Sequence, residues 1–378
     1  MIRDDIILED TTLRDGEQAP GVAFSKSTKL AIHDHLVAAG VRWIEAGIPA
    51  MGGEELDTLK AMIARGSDAT LVAWNRGVRK DIELSLDIGF KAVHIGLPTS
   101  NIHLKNSIGK DRNWLLETAA DLIKFAKDRG AFVSISAEDV GRTEIPFLQE
   151  YACAVTSAGA DRLRLSDTIG ILTPEAYAER VQSIVKVSSI DLQCHTHNDF
   201  GLAVANTLAG LCAGARYFHV TVNAIGERAG MPDFAQTTLA LKKLYGKDLG
   251  IDTSRLYQIS QIVASASKQK IAPWQPIVGE NVFAHESGIH TKGMLKNDKT
   301  FEPFSPEEVG GQRKYNIGKH SGRAGLHHTL TEQGIAVDET KLGLCLDQVR
   351  ALAIQQGGSV SPEQLQHIYF RILEERVA

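Results

Sequence analysis

Cysteine is scarce and scattered in this chain of 378 residues: Cys153, Cys194, Cys212 and Cys345 form no C-x-x-C pair and no dense framework. That excludes a disulfide-stapled scaffold and fits thiols kept reduced in a cytosol. An excess of charge of one sign is lacking too. The 41 basic and 46 acidic residues are well mixed and leave a formal charge of −5, so no basic stripe speaks for nucleic acid or an anionic membrane. No apolar segment reaches membrane-spanning length, and Met1-Ile-Arg-Asp-Asp5 offers two acids where a signal peptide needs an apolar run. A cytoplasmic protein without nucleic-acid or membrane partners is therefore expected. Also missing is a G-x-G-x-x-G turn after an early strand, which argues against a doubly wound dinucleotide-binding sheet.

What is there is a periodic β-α alternation. With 43% apolar residues the chain can bury a substantial core. Eight short apolar runs recur: Ile6–Leu8, Trp43–Ile48, Leu71–Trp74, Ala92–Leu97, Phe132–Ser136, Arg162–Leu165, Leu192–His195 and Phe218–Val222. Amphipathic segments separate them, such as Ser25 to Ala39 before Gly40, Trp114 to Arg129 before Gly130, and Pro174 to Val187 behind Thr173 as cap. The fold class expected is α/β, a (β/α)8 TIM barrel with a C-terminal, mostly helical extension. Barrel closure is expected near Tyr245. The organisation reads as a catalytic barrel over 1–265 and linker and helical subdomains over 266–378, the last helix opening on the capping box Ser361-Pro-Glu-Gln364.

In such barrels the working residues sit where strands end. Cys194-His195-Thr-His197 closes the seventh run, and because a strand alternates its faces, both imidazoles point one way while Cys194 points the other. Arg14-Asp15, at the end of the first run, adds a carboxylate and a guanidinium. One carboxylate and two imidazoles at a common mouth make Asp15, His195 and His197 candidate ligands of a divalent metal ion, Mg, Mn or Zn, with open positions for a 2-oxo acid. Arg14 can share the developing negative charge; its plain alternative is a surface ion pair, and that of Asp15 a turn role. Trp74 and Arg76 end the third run, where a dicarboxylate would need a cationic partner, although simple packing also explains Trp74. Thr168 is a candidate for the substrate carboxylate or an ordinary turn hydroxyl.

These residues resemble a known family, the metal-dependent enzymes that condense acyl-CoA with 2-oxo acids and include 2-isopropylmalate, citramalate and homocitrate synthases. The resemblance is carried by Asp10-Thr-Thr-Leu-Arg14-Asp15-Gly-Glu-Gln18, Ser166-Asp-Thr168-Ile-Gly170, His195-Thr-His197-Asn-Asp-Phe-Gly201, Asn223-Ala-Ile-Gly-Glu-Arg228-Ala-Gly230 and His285-Glu-Ser-Gly-Ile-His290. Within it, Gly47-Ile-Pro-Ala-Met-Gly-Gly-Glu-Glu55 and Ala73-Trp74-Asn75-Arg76 look most like homocitrate synthases of the nitrogen-fixation type. The resemblance implies a homodimer that uses acetyl-CoA and a 2-oxo acid, 2-oxoglutarate by the subgroup marks. It further implies Gln18 as a substrate contact and His290, on a Gly-bracketed segment outside the barrel, as the base, with Glu138 orienting it; His285 and His320 are weaker candidates. Two departures stand out: Met231 occupies a position where many relatives carry a metal-ligating Asn, and Ser134 one where lysine-pathway relatives carry an Arg for the distal carboxylate. A 2-isopropylmalate- or citramalate-like synthase, a metal-dependent barrel lyase or aldolase, and a non-catalytic paralogue are the competing readings.

Overall fold

The computed structural model describes residues 1–374 and resolves two compact units, Met1–Ile271 and the chain from Ala272 onward. The first is a closed barrel of eight parallel strands in sequential order: β1 (Ile7–Asp10), β2 (Trp43–Gly47), β3 (Thr70–Arg76), β4 (Ala92–Gly96), β5 (Phe132–Glu138), β6 (Arg162–Asp167), β7 (Asp191–Thr196) and β8 (Tyr217–Val220). β1 pairs with both β2 and β8, which closes the cylinder. The eight-run reading of the sequence therefore holds, with shifted ends. β3, β5 and β6 run past their apolar residues, because parallel neighbours go on supplying ladder partners: Glu138 still pairs with Ser166, and Asp167 with Thr196. β8 stops early, and Val222–Ala224 forms a single 3₁₀ turn.

The helices start where their caps dictate. Ser25 accepts from the Thr28 amide ahead of Lys26–Ala38, and Thr173 from Ala176 ahead of Pro174–Val185. The helix expected from Trp114 begins at Arg112 instead, since Asp111 accepts from the Trp114 amide. The first unit continues through the helix Leu256–Ser267 to Ile271, a little beyond the boundary read at residue 265. Among the described residues no helix is long and apolar enough to cross a membrane.

Barrel interiors are ordinarily filled by branched aliphatic layers; this one is charged. At the N-terminal ends of the strands the Arg162 guanidinium lies between Trp43, Phe132 and Tyr217, 4.8 Å from the Tyr217 ring centre. One level up, Glu9 bonds Arg162 at 2.5 Å, and Arg164 bridges Glu9 and Glu45 at 3.4 and 2.6 Å. Burying such charges is costly unless each finds a partner, and here each carboxylate meets at least two cationic or N–H groups. The mutual pairing turns a loose set of ionisable groups into a rigid floor beneath the mouth.

Asp10 is the exception to this pairing. Its carboxylate is fully buried and accepts only from the amide and hydroxyl of Thr12, so burial pushes it up to about 7 from the ordinary 3.8. The folded chain thus holds a proton that the unfolded chain releases as pH rises from about 4 to about 7, and stability falls across that window by a few kcal/mol at order of magnitude. Asp10→Asn, which fixes the neutral form, should gain stability relative to wild type on going from pH 5 to pH 8 in urea unfolding. A wild-type-to-variant difference independent of pH would show that Asp10 keeps an ordinary carboxylate.

The second unit has its own core, formed by Leu326, Leu330, Leu342, Val349, Leu365 and Tyr369 among others. Its helices are Gly288–Met294, Arg323–Glu332, Leu342–Gln356 and Pro362–Glu374. Ser361 and Gln364 cap the last one reciprocally, the Gln364 amide to the Ser361 hydroxyl at 3.2 Å and the Ser361 amide to the Gln364 side chain at 2.8 Å. A two-stranded parallel pairing of Ala284–His285 with Lys314–Tyr315 completes it.

Candidate metal centre

β7 places His195 on its inner face, with His197 just past its last residue, and turns Cys194 toward the helices, where its sulfur lies against Gly210. Two strands round the barrel, the turn after β1 is fastened by the Thr12 hydroxyl, which accepts from the Val222 amide, and by the Gly16 amide on the Thr11 carbonyl. That turn brings Asp15 to the two imidazoles. Asp15, His195 and His197 each offer a ligand atom within 4.8 Å of the others, and all three are buried. His195 Nε2 lies 3.7 Å from Asp15 Oδ2. His197 Nδ1 is buried with no hydrogen-bond partner among the described residues, an orphan that a bound cation explains and a packed core histidine does not. Burial, followed by the neighbouring His219 and His197, holds His195 well below the usual histidine range; burial also lowers His197. Neutral imidazoles are what a cation requires.

A second cluster, Glu9, Glu45 and His219, has similar spacing but different chemistry. Its carboxylates are occupied by Arg162, Arg164, Arg14 and the Thr11 hydroxyl, so it is a charge-paired network and not a free ligand set. Burial alone would raise Glu9, but Arg162 and the bond from His219 bring it to about 2, firmly ionised.

Arg14 stands at the junction. Its Nε donates to Glu45 at 2.6 Å and its Nη1 to Gln18 at 3.0 Å and Asp15 at 2.9 Å, while its guanidinium carbon lies 5.9 Å from the Trp74 ring centre. Trp74 and Glu138 converge on Gly96 of β4, where an added Cβ would lie 2.7 and 2.9 Å from them, so only glycine admits both. Burial raises the Glu138 carboxyl, against the pull of Arg14. Arg14, Asp15, Trp74, Glu138, His195 and His197 therefore share one mouth.

Four candidates sit otherwise. Arg76 is largely exposed and holds Asp81, five residues on, through two hydrogen bonds of 2.7 and 3.0 Å. The Thr168 hydroxyl accepts from the Asp139 amide at 2.8 Å, which is the turn role. His290 belongs to the second unit, where it is exposed and stacks on Phe301 with ring centres 4.1 Å apart; His285 is tied to Glu302 at 3.0 Å.

Sequence reasoning missed Glu9, Glu45, Arg164 and His219, which lie on four different strands and meet only in the folded barrel. The loops behind the centre are cross-tied. Arg228 grips Asp199 with two bonds of 2.9 Å and donates to the Thr168 carbonyl at 2.7 Å, which links the loops after β6, β7 and β8. Asp139, Asn223, Ala224 and Arg228 hold positive φ angles in these loops, the kind of strain that a surrounding network must maintain. Gly226 packs so close that a Cβ there would meet Asp15 Oδ1 at 2.9 Å and Met231 Cγ at 3.0 Å. Met231 thus lies beside the centre, and its thioether is a poor donor for a hard cation.

Residues 5–263 match the HMGL-like family, and residues 277–357 match the homocitrate synthase post-HMGL domain-like family. The chain is 65% identical over 368 residues to the 2-phosphonomethylmalate synthase of Streptomyces rubellomurinus, covering 97% of this chain and 99% of that one. It is 46% identical over 364 residues to 2-isopropylmalate synthase 2 of Caldanaerobacter subterraneus, at 96% and 95% coverage. Homocitrate synthase 1 of Nostoc sp. is 44% identical over 360 residues, at 95% and 96% coverage. Among solved structures, the HMG-CoA lyase of Bacillus subtilis superposes with a TM-score of 0.65 at 16% identity, over 71% of this chain and 96% of that one, a likeness of fold.

Proposed function

The chain belongs to the HMGL-like family and is a condensing enzyme of the acyltransferase type, and from that premise we propose that it joins acetyl-CoA to a 2-oxo acid carrying a second, distal anionic group. The observation that carries this reading is the convergence of Asp15, His195 and His197 beside Arg14. Asp15, His195 and His197 would hold a divalent cation, which would supply Lewis-acid polarisation of the keto group of the oxo acid. Arg14, locked by Glu45 and Gln18, adds a fixed positive charge at the same place. Glu138, whose burial favours its protonated form, can deliver a proton to that oxygen.

His290 is the proposed base for the acetyl methyl group. The methyl C–H bond breaks, its electron pair forms the new C–C bond to the keto carbon, and the keto oxygen ends as a hydroxyl. Water then cleaves the thioester to a carboxylate and free CoA thiol. The working unit is proposed to be a homodimer.

The relatives and the mouth together support a reading of the oxo acid. Removing the acetyl unit from 2-phosphonomethylmalate leaves a pyruvate that bears a phosphonate at its third carbon. The 65% identity along the whole length of that synthase favours 3-phosphonopyruvate, or an acid of the same shape, as the substrate. Trp74 packs close against Gly96, which suits a substrate with a short distal arm. 2-Oxoglutarate is the second reading, favoured by the Nostoc homocitrate synthase. In that reading Arg76 would have to give up Asp81 to hold the distal carboxylate.

Thiol release from acetyl-CoA with a panel of 3-phosphonopyruvate, 2-oxoglutarate, oxaloacetate and 2-oxoisovalerate tests both. The phosphonate should give the highest kcat/KM. A preference for 2-oxoglutarate that Arg76→Ala selectively abolishes would establish the second reading instead, and a preference for 2-oxoisovalerate would remove the distal anion altogether.

A further inference from the structure

β8 sets His219 opposite Glu9 of β1 in the sheet register, and a line of hydrogen bonds runs from this pair to the metal centre. His195 Nδ1 lies 2.8 Å from His219 Nδ1, and His219 Nε2 lies 2.9 Å from Glu9 Oε1. All three side chains are buried, so water does not compete for these contacts. Glu9 is ionised against Arg162 and can only accept. The hydrogen in the His219–Glu9 contact is therefore on His219 Nε2. Arg164 Nη2 also approaches that nitrogen, at 3.4 Å, but its strong contact is to Glu45 at 2.6 Å, and a bare Nε2 would be repelled by a carboxylate oxygen at 2.9 Å.

Only one hydrogen fits between the two Nδ1 atoms at 2.8 Å, and with the His219 hydrogen on Nε2 toward Glu9, His219 Nδ1 is left to accept from His195 Nδ1. The lone pair of His195 is then on Nε2, the nitrogen that faces Asp15 Oδ2 at 3.7 Å.

We infer that His219 and Glu9 form a positioning relay that fixes the tautomer and ring orientation of His195, so that its Nε2 lone pair is presented to the cation. The inference rests on the metal-centre reading and deepens it. It gives the charged barrel floor a purpose: Arg162 and Arg164 hold Glu9, Glu9 orients His219, and His219 orients His195. Outer contacts of this kind commonly govern metal affinity by about 10- to 100-fold.

The test uses the full chain, with Zn²⁺ alone as the probe in calorimetry and ¹⁵N imidazole shifts read on the metal-free wild type. His219→Phe, which removes the acceptor, should bind Zn²⁺ about 10- to 100-fold more weakly. His219→Gln should recover most of the affinity, since its amide can accept from His195 and donate to Glu9. In the metal-free wild type, His195 should carry its proton on Nδ1. A folded His219→Phe variant with wild-type affinity, or a His195 proton on Nε2, overturns the relay. If His219→Phe does not fold, the tautomer decides alone. Failure of the wild type to bind Zn²⁺ would instead overturn the metal-centre reading, and the two failures are thus distinguishable.

Discussion

Asp15→Ala is expected to abolish high-affinity metal binding and to lower condensation by roughly 10³-fold or more, since charge stabilisation by a bound cation is worth several kcal/mol and each decade of rate about 1.4. Folding should survive. Arg14 keeps its bonds to Glu45 and Gln18, and His195 keeps its bond to His219, so the barrel floor stays intact when Asp15 is lost. The same outcome should follow from treating the wild type with a chelator, and added Mn²⁺ or Zn²⁺ should restore the wild type but not the variant. Metal content, circular dichroism and thiol release on the same samples check this. A variant that retains full metal occupancy would remove Asp15 from the ligand set.

His290→Ala should lower kcat by about 10²–10⁴-fold, as expected for loss of a general base, while leaving metal binding and oxo-acid binding near wild type. The split matters because the base acts on the acetyl methyl group and not on the ketone. His285 is a poor substitute, being buried and tied to Glu302, whereas His290 is exposed with Phe301 stacked against its ring. Near-normal turnover would transfer the role elsewhere, with His320, also exposed, the next to replace. Mixing the inactive Asp15→Ala and His290→Ala chains adds a test of the proposed homodimer: recovered activity means that one copy supplies its second unit to the barrel of the other.

The barrel and its mouth were legible for simple reasons. Parallel strands buried on both faces write themselves as short apolar runs, and the two-residue spacing of His195 and His197 fixes a shared face before any coordinates exist. Caps such as Thr173 and Ser361 were legible because the side chain and the amide it serves lie three residues apart. The charged floor was not. Glu9 and His219 meet across 210 residues, and a buried Glu or Arg inside a strand reads only as a blemish in an apolar pattern until its partner is known. Arg76 shows the converse: the rim rule offered it to a substrate, but Asp81 on the following helix already holds it. Thr168 was ambiguous in sequence because a turn hydroxyl and a ligand-binding hydroxyl look alike, and the Asp139 amide is its partner here.

The most direct measurement is anomalous diffraction from crystals of the enzyme grown with Zn²⁺. A single strong peak should lie about 2.0–2.2 Å from Asp15, His195 Nε2 and one nitrogen of His197, with the remaining positions open to water or oxo acid. A peak among Glu9, Glu45 and His219, or no peak at the barrel mouth at saturating metal, would contradict the assignment of the centre and with it the metal-dependent condensation.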